Sequence, residues 1–179
     1  MSFEELLDRR IRTIADWPVP GVQFRDIMPL LVDPDGLSSC VTAMRVRISE
    51  AGFDQIDAVA GIEARGFILG SVLAHDLGVG FVAVRKSGKL PGDVVAETYD
   101  LEYGSATLEV QSDLLTSGSR VLLVDDVLAT GGTAAAAARL LETVGAQVVG
   151  LLSLLELPAL GGRARCAGLP VESLHLIEF

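Results

Sequence analysis

Four consecutive apolar residues, Val121–Val124, run straight into two acids, Asp125 and Asp126, and then into the glycine- and threonine-rich turn Ala129-Thr130-Gly131-Gly132-Thr133. The chain continues as a helical stretch, Gly132–Val144, with five consecutive alanines (Ala134–Ala138) and Gly145 to end it. An apolar run without alternation reads as a strand covered on both faces. Alanine is the best helix former, and its small side chain lets a helix lie close to a sheet. A second apolar strand, Val148–Leu155, follows. Strand, turn, helix and strand in this order imply a mostly parallel sheet flanked by helices, the α/β class.

The rest of the chain agrees. Ala58–Ala60 and Phe81–Val84 read as buried strands on either side of a helix, Ala64–Leu77, that Gly78 ends. Val94–Tyr99 and Ala106–Val110 alternate like antiparallel strands, and Lys86–Asp93 between them and Phe81–Val84 is a basic, glycine-containing loop. Upstream, Ser2 and Glu5 fit a capping box. Phe3, Leu6, Leu7, Arg10, Ile11 and Ile14 then keep helical spacing, which predicts a helix ending before Trp17-Pro18. Trp17–Pro29, with three prolines and a glycine, reads as irregular, and Leu37–Glu50 as a helix closed by Gly52. The 179 residues suit one domain, with no internal repeat or boundary.

Composition removes several function classes. The net charge is −10, which argues against a generic nucleic-acid or acidic-membrane binder. Any anion must be held by a local cluster, and Arg85, Lys86 and Lys89 provide one within five residues. Cys40 and Cys166 have no metal-ligand or CxxC spacing, and His75 and His175 stand apart, so reduced structural thiols and no zinc site are expected. The longest oily stretch, Val148–Leu160, is too short to span a bilayer, and the acidic start Met1–Arg10 is unlike a secretory signal, so a cytoplasmic protein is expected.

In sheets of this class, ligands bind beyond the carboxyl ends of the strands. That selects three exits: Gly61–Gly66, Arg85–Gly92 and Asp125–Thr133. At the last, Gly131 and Gly132 permit close backbone approach, Thr130 and Thr133 offer hydroxyls, and the free amides of a helix start favour a phosphate. Carboxylates beside a phosphate site can accept hydrogen bonds from sugar hydroxyls and hold water on a magnesium ion. Together these residues suit a ribose 5-phosphate group. The competing interpretation, an acidic turn at a helix start, does not explain paired acids followed directly by Thr-Gly-Gly-Thr. Two nucleotide motifs fail: Gly61–Gly66 is followed by Phe67 where a P-loop needs Lys, and Gly78–Ala83 runs from helix into strand, the reverse of a dinucleotide fingerprint.

Val121–Thr133 resembles the signature of the type I phosphoribosyltransferases, which bind phosphoribosyl pyrophosphate (PRPP). Pro20–Ile27, Gly61–Phe67, Arg85–Gly92 and Tyr99–Gly104 occur in the order and spacing of that family's adenine-using branch, from about Trp17 to the C-terminus. The resemblance implies the reaction adenine + PRPP → AMP + pyrophosphate, as in purine salvage, with Mg²⁺ held mainly by PRPP and water and no direct protein ligand. It implies a small N-terminal hood (residues 1–34) and a mobile lid (residues 86–104) on the α/β core. Ala129, Thr130, Gly131, Gly132 and Thr133 would hold the 5-phosphate, and Asp125 and Asp126 would face the ribose. Glu63, Ala64, Arg65 and Gly66 would form the pyrophosphate loop, where the family leads one to expect a strained peptide bond. Lys86 and Lys89 would add to the grip.

Phe24 would stack on adenine with Gln23, Arg25 and Leu157 around it, backbone groups of Arg25 reading the base edge. Glu102 and Arg65 would be catalytic and Tyr103 part of the lid. A homodimer is implied, with adenine and PRPP the partners rather than nucleic acid or membrane. Two rivals compete: transfer to another base, which the Phe24-Arg25 and Leu-Glu-Tyr-Gly segments oppose, and a noncatalytic PRPP-sensing regulator. The regulator would call for a DNA-binding domain or a basic surface.

Overall fold

The computed structural model describes residues 2–100 and 104–178. They fall into two compact units, Met1–Ala43 and Met44–Phe179.

The first unit begins with helix α1, Phe3–Arg10, whose Ser2–Glu5 capping box is present in both directions. The helix stops one turn earlier than its apolar spacing suggests. Ile11 is already extended, and Arg12–Ala15 forms strand β1, paired antiparallel with β2, Gln23–Asp26. Two causes act at this point. Thr13 and Ile14 are β-branched and favour a strand. Arg12 also stands opposite Asp26 in register and pairs with it, Nη2 to Oδ2 at 2.5 Å. The stretch read as irregular is therefore half of a hairpin, on which Trp17 and Phe24 pack edge to face with centroids 4.4 Å apart. A short helix α2, Met28–Leu31, follows, its first amide taken by Asp26 Oδ1 at 2.9 Å. Helix α3, Pro34–Glu50, whose residues from Met44 on belong to the second unit, starts three residues before the expected Leu37, because Pro34 suits a first turn and Asp33 Oδ1 accepts the Asp35 and Gly36 amides at 3.0 and 3.3 Å.

The second unit is built on a seven-stranded sheet. Its elements in chain order are β3 (Ala58–Ile62), α4 (Arg65–Leu77), β4 (Gly80–Lys86), β5 (Val94–Asp100), β6 (Ser105–Gln111), β7 (Arg120–Leu128), α5 (Gly132–Thr143), β8 (Gln147–Glu156), a short α6 (Gly162–Arg165) and β9 (Val171–Leu176). The strand order is β5-β6-β4-β3-β7-β8-β9. The five strands from β4 to β9 run parallel, and β5 and β6 add an antiparallel edge. The mostly parallel α/β fold is the one the sequence implies.

Fully buried Val121, Leu123, Ala136, Ala137, Leu140, Leu141 and Leu151 fill the core between sheet and α5. The alanines explain how close the helix lies. Strand β7 runs further than Val124: it stays in register with β8 through Asp125 opposite Ser153 and Leu128 opposite Glu156. Asp125 and Asp126 therefore sit within the strand rather than beyond its exit. The β8 ladder carries the pairing past two residues that would not sustain a strand alone. Strand β9 has no apolar run to announce it, since Glu172, Ser173 and His175 interrupt Val171–Leu176.

Candidate active site

Strands β3, β4, β7 and β8 are parallel, so their carboxyl ends share one edge of the sheet. Three connections leave that edge: residues 63–64 into α4, 87–93 after β4, and 129–131 into α5. Leu157 follows β8 there, and its amide donates to Leu128 O at 2.9 Å. The parallel ladder alone thus gathers Glu63–Gly66, Lys86, Lys89, Asp125, Asp126, Ala129–Thr133 and Leu157 along one rim.

The connection after β3 is held tightly. The Glu63–Ala64 peptide bond is cis, the unusual bond falling in the loop where the family resemblance places one. A Cβ on Gly66 would lie 2.8 Å from Val124 O and 3.1 Å from Asp125 Oδ1, so only glycine lets α4 start this close to β7. The closeness brings Arg65 to Asp126, and Nε donates to the Asp126 carboxylate in a short ion pair. Asp126 is buried at 5% exposure, and a buried carboxylate calls for such a partner. Asp125 is different. Desolvation first, and the neighbouring Asp126 charge second, push its carboxyl well above the usual range, against the pull of the Asp126 amide that donates to its Oδ1 at 2.9 Å.

The basic cluster divides. Arg85 donates to Glu63 from Nε at 3.2 Å and to Lys89 O from Nη1 at 3.1 Å, tying the first two connections together. The Lys86 amide adds a bond to Glu63 Oε2 at 3.0 Å. Desolvation works against ionised Glu63, but these bonds and the Arg85 and Lys86 charges hold its carboxyl below the usual range. Arg85 is spent inside the rim, while the Lys86 and Lys89 side chains remain exposed. Buried Glu109 fixes the next turn, accepting Ser87 Oγ at 2.5 Å and the Gly88 amide at 2.9 Å.

At the third connection Gly131 caps α5 in a left-handed conformation, φ 78°, and no side chain caps the helix amides. The first helical bond is Ala135 N–H to Gly131 O at 2.9 Å. The amides before it point out of the helix start, the arrangement that receives a phosphate. The Thr133 hydroxyl meets Tyr99 Oη at 3.1 Å, and Arg139 Nε reaches Glu97 at 2.8 Å, so β5 is moored to α5.

Sequence reasoning finds the rim residues but not their partners. The Arg85–Glu63 tie, the Glu109 anchor and the Tyr99–Thr133 bond join residues far apart in the chain, for which a single sequence carries no signal. Gln23, Phe24 and Arg25 lie on β2 of the first unit. Glu102 and Tyr103 lie outside the described residues.

Residues 38–165 match the family described as the phosphoribosyl transferase domain, and the chain belongs to that family. An adenine phosphoribosyltransferase of Streptomyces coelicolor is 53% identical over 177 residues, covering 97% of this chain and 96% of its own. The crystal structure of adenine phosphoribosyltransferase from Rhodothermus marinus superposes with a TM-score of 0.91 at 48% identity, covering 98% of each chain. That of the Giardia lamblia enzyme, complexed with 9-deazaadenine, gives 0.90 at 41% identity over 100% of this chain and 99% of that one.

Proposed function

We propose that this protein transfers the 5-phosphoribosyl group of PRPP to adenine, giving AMP and pyrophosphate in purine salvage. The observation that carries the reading is the rim: an uncapped helix start beside two acids, next to Arg65 at the start of α4 and two exposed lysines, Lys86 at the end of β4 and Lys89 in the turn after it. The near full-length likeness to adenine phosphoribosyltransferases supports the choice of base.

The amides of residues 129–133 hold the 5-phosphate. Asp125 and Asp126 accept the ribose hydroxyls. Arg65, Lys86 and Lys89 face pyrophosphate, and their charge offsets the negative charge that grows on the leaving group. Reaching pyrophosphate obliges Arg65 to share or leave its bond to Asp126, which frees that carboxylate for the sugar. Phe24 stacks on adenine with Gln23 beside it, and backbone groups of Arg25 read its edge. Adenine presents a donor at C6 and an acceptor at N1, and a 6-oxo purine reverses both, leaving buried backbone groups mismatched. Glu102 takes up the proton that adenine gives on bonding to the anomeric carbon. Residues 86–104, Tyr103 among them, close over the site and exclude water.

Among the described residues no three His, Cys, Asp or Glu side chains gather into a metal cage. A Mg²⁺ ion suits this rim when carried in by PRPP oxygens and water, with Asp125 and Asp126 accepting from its water shell, since it retains water readily. Bound so, it supplies charge neutralisation at the diphosphate. No described helix is long and apolar enough to cross a membrane. A cytoplasmic homodimer completes the proposal, and a sizing column checks the dimer.

The test is an assay with Mg²⁺, PRPP and one base at a time: adenine, hypoxanthine, guanine or orotate. AMP and pyrophosphate from adenine alone is the expected result. Turnover of another base keeps the PRPP site and discards the adenine pocket. PRPP binding without turnover of any base favours the regulator.

A further inference from the structure

Behind the 129–131 turn lies the short helix α6, which the proposed chemistry does not use. Its first residue, Gly162, is buried, and its backbone packs directly on the turn. A Cβ on Gly162 would clash with the Ala129 carbonyl oxygen and stand 3.0 Å from Leu128 Cδ1 and 3.1 Å from Ala129 C. From the other side, a Cβ on Gly131 would stand 2.9 Å from Gly162 Cα and 3.0 Å from its carbonyl carbon. Two glycine backbones therefore touch where any side chain would force the turn to move. The Cys166 thiol adds a long contact, 3.7 Å, to Gly131 O.

Helix α6 is four residues long and could not hold this position alone. Arg163 fixes it. Its Nε and Nη2 grip the buried Glu156 carboxylate at 3.0 and 2.6 Å, and Nη1 donates to Val171 O on β9 at 2.5 Å. Ser173 Oγ donates to the same carboxylate at 2.7 Å and meets Ser153 Oγ at 2.9 Å. A bidentate guanidinium–carboxylate pair, with Ser173 as a further donor to the carboxylate, sets direction as well as distance.

We infer that Gly162 and Arg163 are positioning residues for the phosphoribosyl substrate: Arg163 clamps α6 to the ends of β8 and β9, and Gly162 is the backstop that sets where the 129–131 turn offers its amides. The inference rests on the assignment of that turn to the 5-phosphate. Displacing a binding turn by about an ångström can cost up to ~100-fold in rate or affinity.

Gly162→Ala isolates the contact, since this glycine is not in the left-handed region and only the close approach forbids a side chain. Arg163→Met and Arg163→Lys test the clamp without adding an atom to the contact. Calorimetric titration with ribose 5-phosphate and steady-state kinetics give the readouts, alongside Tm. The expected result for Gly162→Ala and Arg163→Met is ribose 5-phosphate affinity reduced at least 10-fold and the PRPP KM raised to match. The adenine KM stays within twofold, and Arg163→Lys recovers part of the loss. Ribose 5-phosphate bound as tightly by folded variants as by the wild type overturns the inference, as does an equal rise in both KM values. If Gly162→Ala does not fold, the Arg163 pair decides on the same criteria. A wild type that binds neither ribose 5-phosphate nor PRPP removes the functional assignment instead, a separate and recognisable outcome.

Discussion

Asp125 and Glu156 are acids of opposite character, and each predicts its own pH behaviour. Arg163 and then Ser173 hold the Glu156 carboxyl below its usual range despite burial. Its contribution is therefore present above about pH 4.5, its ordinary value, and is lost as pH falls through the lower folded value. Glu156→Gln should cost on the order of 2 kcal/mol near neutrality, less than a fully buried pair because Arg163 is half exposed, with the deficit shrinking below pH 4.5 in denaturant titrations. Asp125 runs the other way. Its raised pKa means that ionisation destabilises the folded state as pH climbs from 3.8 through the higher folded value. Asp125→Asn should therefore raise Tm at pH 7, lose that advantage in acid, and weaken PRPP turnover, a trade of function for stability. An unchanged or lowered Tm at pH 7 would contradict this account. Glu102→Leu should lower kcat far more than PRPP affinity, and an unchanged kcat would remove it from the chemistry.

Elements were legible where one physical signal dominated. The apolar runs of β3, β7 and β8 and the alanine face of α5 have a single reading, and glycine stops such as Gly78, φ 71°, mark the ends of helices. Elements that depend on partners were not legible. Ile11 and Ile14 fit a helix as well as a strand until Arg12 meets Asp26 across the hairpin. Strand β9 exists because β8 offers it a ladder. The rim itself could be read because topology assigns strand ends to one edge, whereas the Arg85 tie forms only when residues 22 apart in the chain meet in the fold. At this scale, the turn after β4 carries a prediction. With Arg85 committed to Glu63 and Lys89 O, the double change Lys86→Ala and Lys89→Ala should raise the PRPP KM by roughly 10-fold or more and leave Tm within about 1 °C, since exposed lysines contribute little to stability. A Tm loss with unaltered KM would mean that these lysines support the fold instead.

For the whole molecule, 24 acids against 14 bases give a net charge of −10. Self-repulsion of that size weakens the folded state and is screened by salt. Raising NaCl from low to about 0.5 M should lift Tm by roughly 2–4 °C, the shift expected for about 1 kcal/mol in a chain of this size. A flat or falling Tm would show that the ion pairs outweigh the repulsion. The parallel sheet has a further consequence. The second unit's proposed phosphate, ribose and pyrophosphate residues all gather along one edge of its sheet, leaving the opposite edge apart from them. There, residues 112–118 join β6 to β7 in a largely exposed stretch. An insertion in that stretch would leave the geometry of the rim unchanged. The same separation lets a lineage lengthen this chain between β6 and β7 while the rim goes on meeting its substrates unchanged.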